Sequence, residues 1–184
     1  MYILKFDGLY REISKNAQNN SHAGFISYGW LIYKQDQLIG RGFGVFALDK
    51  YAASNIAEYI ALIEGLEALT DLGVRKEAVE IRGDAKCVID QMLGVAGISS
   101  PPTRKLNKRA ARLAKHFKDL NWHWVPRTHN RDADQLTKHA MRRMRSSQQT
   151  FKDALKAPPV ASILDGKIAS VIDLRVYQPA TLSR

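Results

Sequence analysis

The order of strand-like and helix-like segments is the feature that most constrains how this chain of 184 residues can fold. Three segments with strand patterns come first, over residues 2–7, 24–33 and 38–48, and no helical pattern separates them. The order then becomes helix, strand, two helices, strand and helix. These segments span residues 55–70, 78–82, 85–93, 101–118, 121–125 and 131–145.

This order predicts one mixed sheet. Strands joined by short turns pair antiparallel, whereas strands joined through helices pair parallel and have helices packed on the sheet faces. We therefore expect an α/β fold with a five-stranded mixed sheet, three antiparallel strands followed by two parallel ones, and helices on both faces. Residues 1–145 are expected to form this domain, with residues 146–184 as a C-terminal extension.

Several local patterns carry expectations of their own. Residues 8–22 are polar and lack a hydrophobic period, so we predict a loop there. Ser54 is placed as the N-cap of the first helix. Trp122 and Trp124 alternate along a strand and Cys87 stands in an apolar stretch, which predicts that all three are buried in the core. Glycines alternate along the third strand and would let another backbone approach one of its faces. They are Gly40, Gly42 and Gly44.

The charge of the chain favours a polyanionic partner. Twenty-eight Lys and Arg against 18 Asp and Glu leave a net charge of +10. Seven of the cations stand in the helix predicted over residues 101–118, which has no acid. With a single cysteine, no apolar N-terminal stretch and no run of about 20 apolar residues, we expect an intracellular, cytoplasmic protein without a membrane segment.

Four carboxylates stand where predicted elements begin or end: Asp7, Glu58, Asp84 and Asp134. Taken singly, each has an ordinary interpretation as a turn residue, an N-cap or a first-turn helix acid. Together they are the hard oxygen ligands that a pair of divalent cations requires, and no His–Cys cluster competes for zinc. We therefore expect them to converge above the sheet.

The surroundings of these carboxylates resemble the type 1 ribonuclease H family. The similarity extends over about residues 2–145 and rests on four stretches in the same order and spacing. They are Phe-Asp-Gly at 6–8, Asn-Ile-Ala-Glu-Tyr-Ile-Ala-Leu at 55–62, Ile-Arg-Gly-Asp at 81–84 and Asn-Arg-Asp-Ala-Asp-Gln-Leu at 130–136.

The resemblance implies a function. Family members cut the RNA strand of RNA–DNA hybrids with two Mg²⁺ or Mn²⁺ ions and leave 5′-phosphate and 3′-hydroxyl ends. It implies that Asp7, Glu58, Asp84 and Asp134 are the catalytic and metal-binding residues. Asp132 is not nominated, because Asp134 occupies the Ala-Asp-x-Leu position. The alternatives are a non-catalytic nucleic-acid-binding module on the same fold, or another nuclease or transposase of the superfamily.

The resemblance also suggests auxiliary and substrate-binding residues. The stretch 125–130 is closer to the Val-Pro-Arg variety of plants and archaea than to members with a histidine-containing loop. The auxiliary catalytic role is assigned to Arg127, with His129 as its rival. Contacts to the hybrid are expected from residues near the carboxylates and from the basic helix. They are Gly8, Asn55, Lys86, Asn130, Arg104, Lys105, Lys108, Arg109 and Arg112.

The extension is left with three alternatives: it covers a sheet edge, mediates self-association or binds a protein partner. Its apolar residues argue against a purely disordered segment. Residues 160–164 and 168–176 are the two parts that could form short strands or docking segments.

Overall fold

The computed structural model describes residues 1–16, 21–48, 53–147 and 172–177. The strands are β1 (Tyr2–Asn16), β2 (Ser21–Lys34), β3 (Gln37–Leu48), β4 (Ala78–Gly83), β5 (Asp119–Trp124) and β6 (Ile172–Tyr177). The helices are α1 (Ser54–Asp71), α2 (Lys86–Met92), α3 (Pro101–Ala114) and α4 (Arg131–Ser146), and a single 3₁₀ turn spans Arg127–His129. Among these described residues, no helix is long and apolar enough to cross a bilayer.

The strands form one mixed sheet in the order β5-β4-β1-β2-β3-β6. The hairpin-linked strands β1, β2 and β3 pair antiparallel, and β4 pairs parallel with both β1 and β5. The predicted mixed α/β fold is therefore confirmed. The predicted number of five strands was one too few, because β6, from the C-terminal extension, pairs antiparallel with the free edge of β3. The second candidate segment, 160–164, lies outside the described residues.

The first hairpin is much longer than expected. Residues 8–16 were predicted as part of a loop, but they continue β1 and pair with β2 up to Asn16 opposite Ser21. The register shifts once, between Glu12 and Ser14. The pairing partner explains the difference, since a long neighbouring strand provides backbone hydrogen bonds to a polar segment that has no hydrophobic period of its own.

Helices cover both faces of the sheet, as predicted. On one face, α1 packs against the even-numbered apolar residues of β1, Leu4 and Phe6, in the main core. On the other face, α4 packs with Met141 and Met144 against Phe25 and the apolar residues of β3. Because side chains of a strand alternate between faces, Asp7 points away from α1 and towards α4.

Four local predictions were wrong. Ala53, with extended backbone, is the N-cap of α1, and Ser54 lies inside the helix. The basic helix ends at Ala114, four residues earlier than expected, where the chain turns towards β5. Trp124 is 48% exposed because β5 is an edge strand. Cys87 is exposed on the short helix α2. Trp122, by contrast, packs half-buried against the core, as predicted.

Two of the alternating glycines of β3, Gly40 and Gly42, make room for aromatic rings. A Cβ atom on Gly42 would lie 2.3 Å from the indole of Trp30, and one on Gly40 would lie 3.3 Å from the ring of Tyr177. The close neighbour is therefore a side chain, not the second backbone that the pattern had suggested. Trp30, which is fully buried, fills the space beside Gly42.

Substituting Gly42→Ala should destabilise the protein by about 1–3 kcal/mol, because the added methyl group would overlap a buried indole ring. Urea unfolding measures the effect. Gly97→Ala is the matched control, since its Cβ would meet no atom within 4 Å and should change stability by no more than ~0.5 kcal/mol. Equal effects of the two substitutions would contradict this account of the glycine pattern.

Candidate active site

Asp7 lies on β1 on the face that α4 covers. It is 5% exposed, and the hydroxyl of Thr137 on α4 donates to its Oδ2 at 3.1 Å. The same hydroxyl lies 2.7 Å from the backbone oxygen of Asp134, one turn earlier on α4. Thr137 therefore links the carboxylate of the sheet to the helix that carries the second aspartate.

Glu58 approaches Asp7 from the opposite side of the sheet. It lies in the second turn of α1, and the backbone N–H of Gly8 donates to its Oε2 at 3.1 Å. A Cβ atom on Gly8 would lie 2.2 Å from the carbonyl carbon of Ala57. Glycine at position 8 is thus the condition for α1 to come close enough to place Glu58 beside β1.

Asp84 follows the end of β4 and is tied to the site by Asn130. The fully buried Asn130 side chain donates from Nδ2 to Asp84 Oδ1 at 2.6 Å and to the backbone oxygen of Phe6 at 2.8 Å. Asn130 also precedes α4 as its N-cap residue, although its side chain makes no cap hydrogen bond. One amide therefore connects β1, β4 and the start of α4.

Asp134 lies in the first turn of α4 and is 8% exposed. Arg127 Nη2 contacts its Oδ1 at 2.6 Å, and Lys138 Nζ contacts its Oδ2 at 2.5 Å. Burial acts to raise the pKa of Asp134, but the hydrogen bonds and charges of Lys138 and Arg127 outweigh it, so the pKa lies below its ordinary value.

The carboxylates are close enough to perturb one another. Burial and then the charge of Asp84 raise the pKa of Asp7 to about 7, and Asp134 adds to the rise. Burial, then Asp7 and then Asp84 raise the pKa of Glu58 well above its ordinary value. The structure thus brings together all four predicted carboxylates, from four different elements, into one mutually repelling group.

The donor set fits Mg²⁺ or Mn²⁺. The four carboxylates offer hard oxygen ligands, and the amide oxygen of Asn130 is buried beside them without a hydrogen-bond partner. The fit is therefore one of donor chemistry, since in the described part of the chain no three His, Cys, Asp or Glu side chains are already placed as ligands of one ion. Arg127 and Lys138 hold Asp134, and Asn130 holds Asp84.

The predicted substrate-binding residues fall into three groups. Asn55 and Lys86 lie in the first turns of α1 and α2, three residues before Glu58 and two residues after Asp84 along the chain. Asn55 Nδ2 lies 3.8 Å from Cys87 Sγ, and Lys86 pairs with Asp90 at 2.6 Å. Gly8 and Asn130 lie inside the site. On α3 the exposed cations form a row, which comprises Arg104, Lys105, Lys108 and Arg112.

Arg109 departs from that row. Its guanidinium points to α1 and contacts Glu67 Oε1 at 2.6 Å, so it joins two helices instead of facing solvent. Of the two auxiliary candidates, Arg127 contacts Asp134 while its side chain remains 68% exposed. His129 is also exposed, and its backbone oxygen accepts a hydrogen bond from Lys5 at 3.3 Å.

Sequence reasoning missed three side chains that shape the site. Thr137 and Lys138 stand three and four residues after Asp134, which is the helical spacing that would have revealed them. Trp124 donates from Nε1 to the backbone oxygen of Asp84 at 3.1 Å, and no sequence pattern predicted that contact. Beside the carboxylates lies an open cleft of about 420 Å³, lined by Arg127, Thr128, Arg131, Asp134, Gln135 and Lys138.

Substituting Asp7→Asn should stabilise the protein in EDTA at pH 8 by on the order of 1–3 kcal/mol and leave it unchanged near pH 4. In the folded chain the pKa of Asp7 is about 7, whereas its ordinary pKa is 3.8. Ionisation of Asp7 therefore destabilises the fold as pH rises from 3.8 to about 7. Urea unfolding across this range tests the effect. The exposed Asp132→Asn is the control, and a pH-independent effect of Asp7→Asn would contradict the assignment.

Comparison with known proteins agrees with this geometry. The reverse transcriptase-like family model matches residues 13–140. The bifunctional protein Rv2228c of Mycobacterium tuberculosis is 33% identical over 150 residues, which are 82% of this chain and 40% of that protein, so this chain spans two fifths of its length.

Two solved structures are similar throughout the domain. The RNase H domain of Rv2228c from Mycobacterium tuberculosis has a TM-score of 0.66 at 29% identity, over 79% of this chain and 96% of that one. The RNase H1 of Halobacterium salinarum has a TM-score of 0.63 at 31% identity, over 76% of this chain and 96% of that one. The chain therefore belongs to the reverse transcriptase-like family and, within it, to the type 1 ribonuclease H proteins.

Proposed function

We propose that this protein is an endonuclease that hydrolyses the RNA strand of RNA–DNA hybrids and leaves 5′-phosphate and 3′-hydroxyl ends. The observation that carries the proposal is the convergence of Asp7, Glu58, Asp84 and Asp134, where burial and neighbouring negative charge raise the pKa of Asp7 and that of Glu58. A group of ionised carboxylates at this density needs cations. A row of exposed cations on α3 supplies the complementary surface for a polyanion.

The four carboxylates would hold two Mg²⁺ or Mn²⁺ ions. When bound, such ions supply activation of water and stabilisation of the leaving 3′ oxygen. Asp7 would be the ligand shared by both ions, since its charge interacts with those of Glu58, Asp84 and Asp134. Glu58, held by the N–H of Gly8, is assigned to the side of the ribose 2′-hydroxyl, the group that distinguishes RNA from DNA.

Neighbouring polar side chains position the ligands. Thr137 orients Asp7, and Asn130 orients Asp84 through a hydrogen bond of 2.6 Å. Because Asn130 is fully buried, we assign it to this positioning role instead of direct contact with the hybrid. Outer partners of this kind fix the direction of a carboxylate before any ion or substrate arrives.

Arg127 is the better candidate for the auxiliary role. Its guanidinium contacts Asp134 at 2.6 Å and lines the basic cleft with Arg131 and Lys138. A guanidinium presents a planar set of donors that matches phosphate oxygens. His129 is exposed on the same turn, and substitution of each residue alone separates the two.

The hybrid is proposed to lie across α1, α2 and α3. Asn55 precedes Glu58 by three residues on α1 and Lys86 follows Asp84 by two, and the exposed cations of α3 offer contacts to the phosphates of the DNA strand. Trp124 adds a half-exposed indole next to Asp84. An exposed Cys87 fits a reducing compartment such as the cytoplasm.

Substituting Asp134→Asn should reduce cleavage of a labelled RNA–DNA hybrid by more than about 100-fold, because loss of an outer partner of a ligand alone costs 10–100-fold. The variant should still bind the hybrid and should lose the Mg²⁺-dependent rise in melting temperature expected of the unsubstituted protein. Asp132→Asn is the matched control two residues away: its carboxylate is exposed and pairs with Lys5, so activity should persist.

Duplex DNA and duplex RNA of the same sequence complete that experiment. Cleavage of the hybrid alone supports the proposal. Equal cleavage of duplex DNA would favour another nuclease of the superfamily, and binding without Mg²⁺-dependent cleavage would favour a non-catalytic module. Full activity of Asp134→Asn would overturn the assignment of the site.

The double substitution Lys105→Ala and Lys108→Ala should weaken hybrid binding and make it less dependent on salt. Each phosphate contact contributes ~0.7–0.9 to the slope of log Kd against log salt concentration, so removing two should lower the slope by roughly 1–2. Fluorescence anisotropy at several salt concentrations measures it. Lys76→Ala, an exposed lysine in the turn before β4, should leave the slope unchanged; an equal change there would contradict specific contact by α3.

A further inference from the structure

The last described strand lies beyond the segment that the family model matches. That match ends at residue 140, whereas β6 spans Ile172–Tyr177. β6 runs antiparallel to β3, from Ile172 opposite Val45 to Tyr177 opposite Gly40. It therefore covers a sheet edge whose backbone groups would otherwise be unpaired.

A buried carboxylate lies beside this strand. Glu64 on α1 is 3% exposed, in the middle of a helix whose neighbours are core residues. Arg175 of β6 contacts Glu64 Oε2 at 2.6 Å, and it also lies 3.5 Å from Glu67 Oε2 and 3.1 Å from Asp71 Oδ2. The three acids stand on one face of α1, and β6 supplies the guanidinium to which all of them turn.

We infer that residues 172–177 are an integral clamp of the catalytic fold, in which Arg175 is the counter-ion that makes the buried Glu64 tolerable. A charge buried without a partner costs several kilocalories per mole, and removing one member of such a pair leaves the other uncompensated. The interaction joins β6 to α1, the helix that also carries Glu58. The inference concerns stability and does not depend on the proposed nuclease function.

Other side chains of β6 also attach this strand to the domain, and they do so on both faces of the sheet. The hydroxyl of Tyr28, a residue with no exposed surface, donates to Asp173 Oδ1 at 2.7 Å. The hydroxyl of Tyr177 donates to Asp71 at 3.1 Å, and its ring lies 6.2 Å from that of Trp30. On the opposite face, Leu174 packs against the cluster under α4.

The charged surroundings of Glu64 give the clamp a pH dependence. Burial raises the pKa of Glu64 to about 7, Arg175 counteracts the rise, and Glu67 and Asp173 add to it. Four more polar groups face this cluster: Tyr28 on β2, Tyr177 on β6, Asp71 on α1, and Arg109 on α3, which pairs with Glu67.

The sign of the dependence follows from protonation. Below pH 7, folded Glu64 is protonated and neutral, so its attraction to Arg175 is weak. Above pH 7 it ionises in the unsubstituted protein, whereas without Arg175 its pKa would rise further and ionisation would be resisted. The contribution of Arg175 to stability should therefore be small at pH 5.5 and should grow as pH rises to 9.

Arg175→Met tests the clamp in the full chain. At pH 9 we expect the folding equilibrium constant, measured by urea unfolding, to fall by at least roughly tenfold, and at pH 5.5 by clearly less. Arg41→Met is the matched control: Arg41 is exposed on the neighbouring strand β3, and its loss removes the same charge. Its effect should be small and equal at both pH values.

A second variant separates the ion pair from general damage to β6. In a Glu64→Gln background the buried charge is gone, so adding Arg175→Met should cost less than it does in the unsubstituted protein. Cleavage of hybrid by Arg175→Met at a temperature where it remains folded should match the unsubstituted rate. An Arg175→Met effect equal to that of Arg41→Met, or one independent of both pH and the Glu64 side chain, would overturn the inference.

Discussion

Repulsion among gathered carboxylates is the constraint on which the rest of this structure depends. Asp7 lies in a strand, Asp84 directly follows another strand, and Glu58 and Asp134 lie in two helices, so no local interaction would hold the four together. The fold holds them together: parallel pairing brings the first half of β1, which carries Asp7, beside the end of β4, and α1 and α4 pack on opposite faces of the sheet. Burial and neighbouring negative charge raise the pKa values of Asp7 and Glu58. The same concentration of negative charge attracts divalent cations.

Buried carboxylates are accommodated in two different ways in this structure. At the candidate active site, Arg127 and Lys138 pair with Asp134, whereas the neutral side chains of Thr137 and Asn130 direct Asp7 and Asp84 without supplying a counter-charge. At Glu64, a guanidinium from a distant part of the chain contacts the carboxylate directly. The first arrangement keeps a place for cations and substrate, whereas the second joins two elements of the fold.

The agreement between prediction and structure differs by kind of feature. The mixed sheet, the helices on both faces and the position of the catalytic candidates followed from residue order, because connection length and hydrophobic period are local properties. The extent of the first hairpin did not, since residues 8–16 owe their strand conformation to pairing with β2. The exposure of Trp124 and Cys87 was also missed, because it depends on which elements cover β5 and α2.

The order and spacing of residues along the chain were sufficient to predict the class of fold. They were also sufficient to predict that the four carboxylates meet. The sequence assigned Arg109 and Asn130 to contacts with the hybrid, whereas the structure turns Arg109 to Glu67 and Asn130 inward to Asp84. For the extension it offered the covering of a sheet edge as one of three alternatives, without indicating that residues 172–177 pair with β3. These features arise when distant segments meet, since the partner of a buried polar group is chosen by packing in three dimensions and leaves no periodic trace.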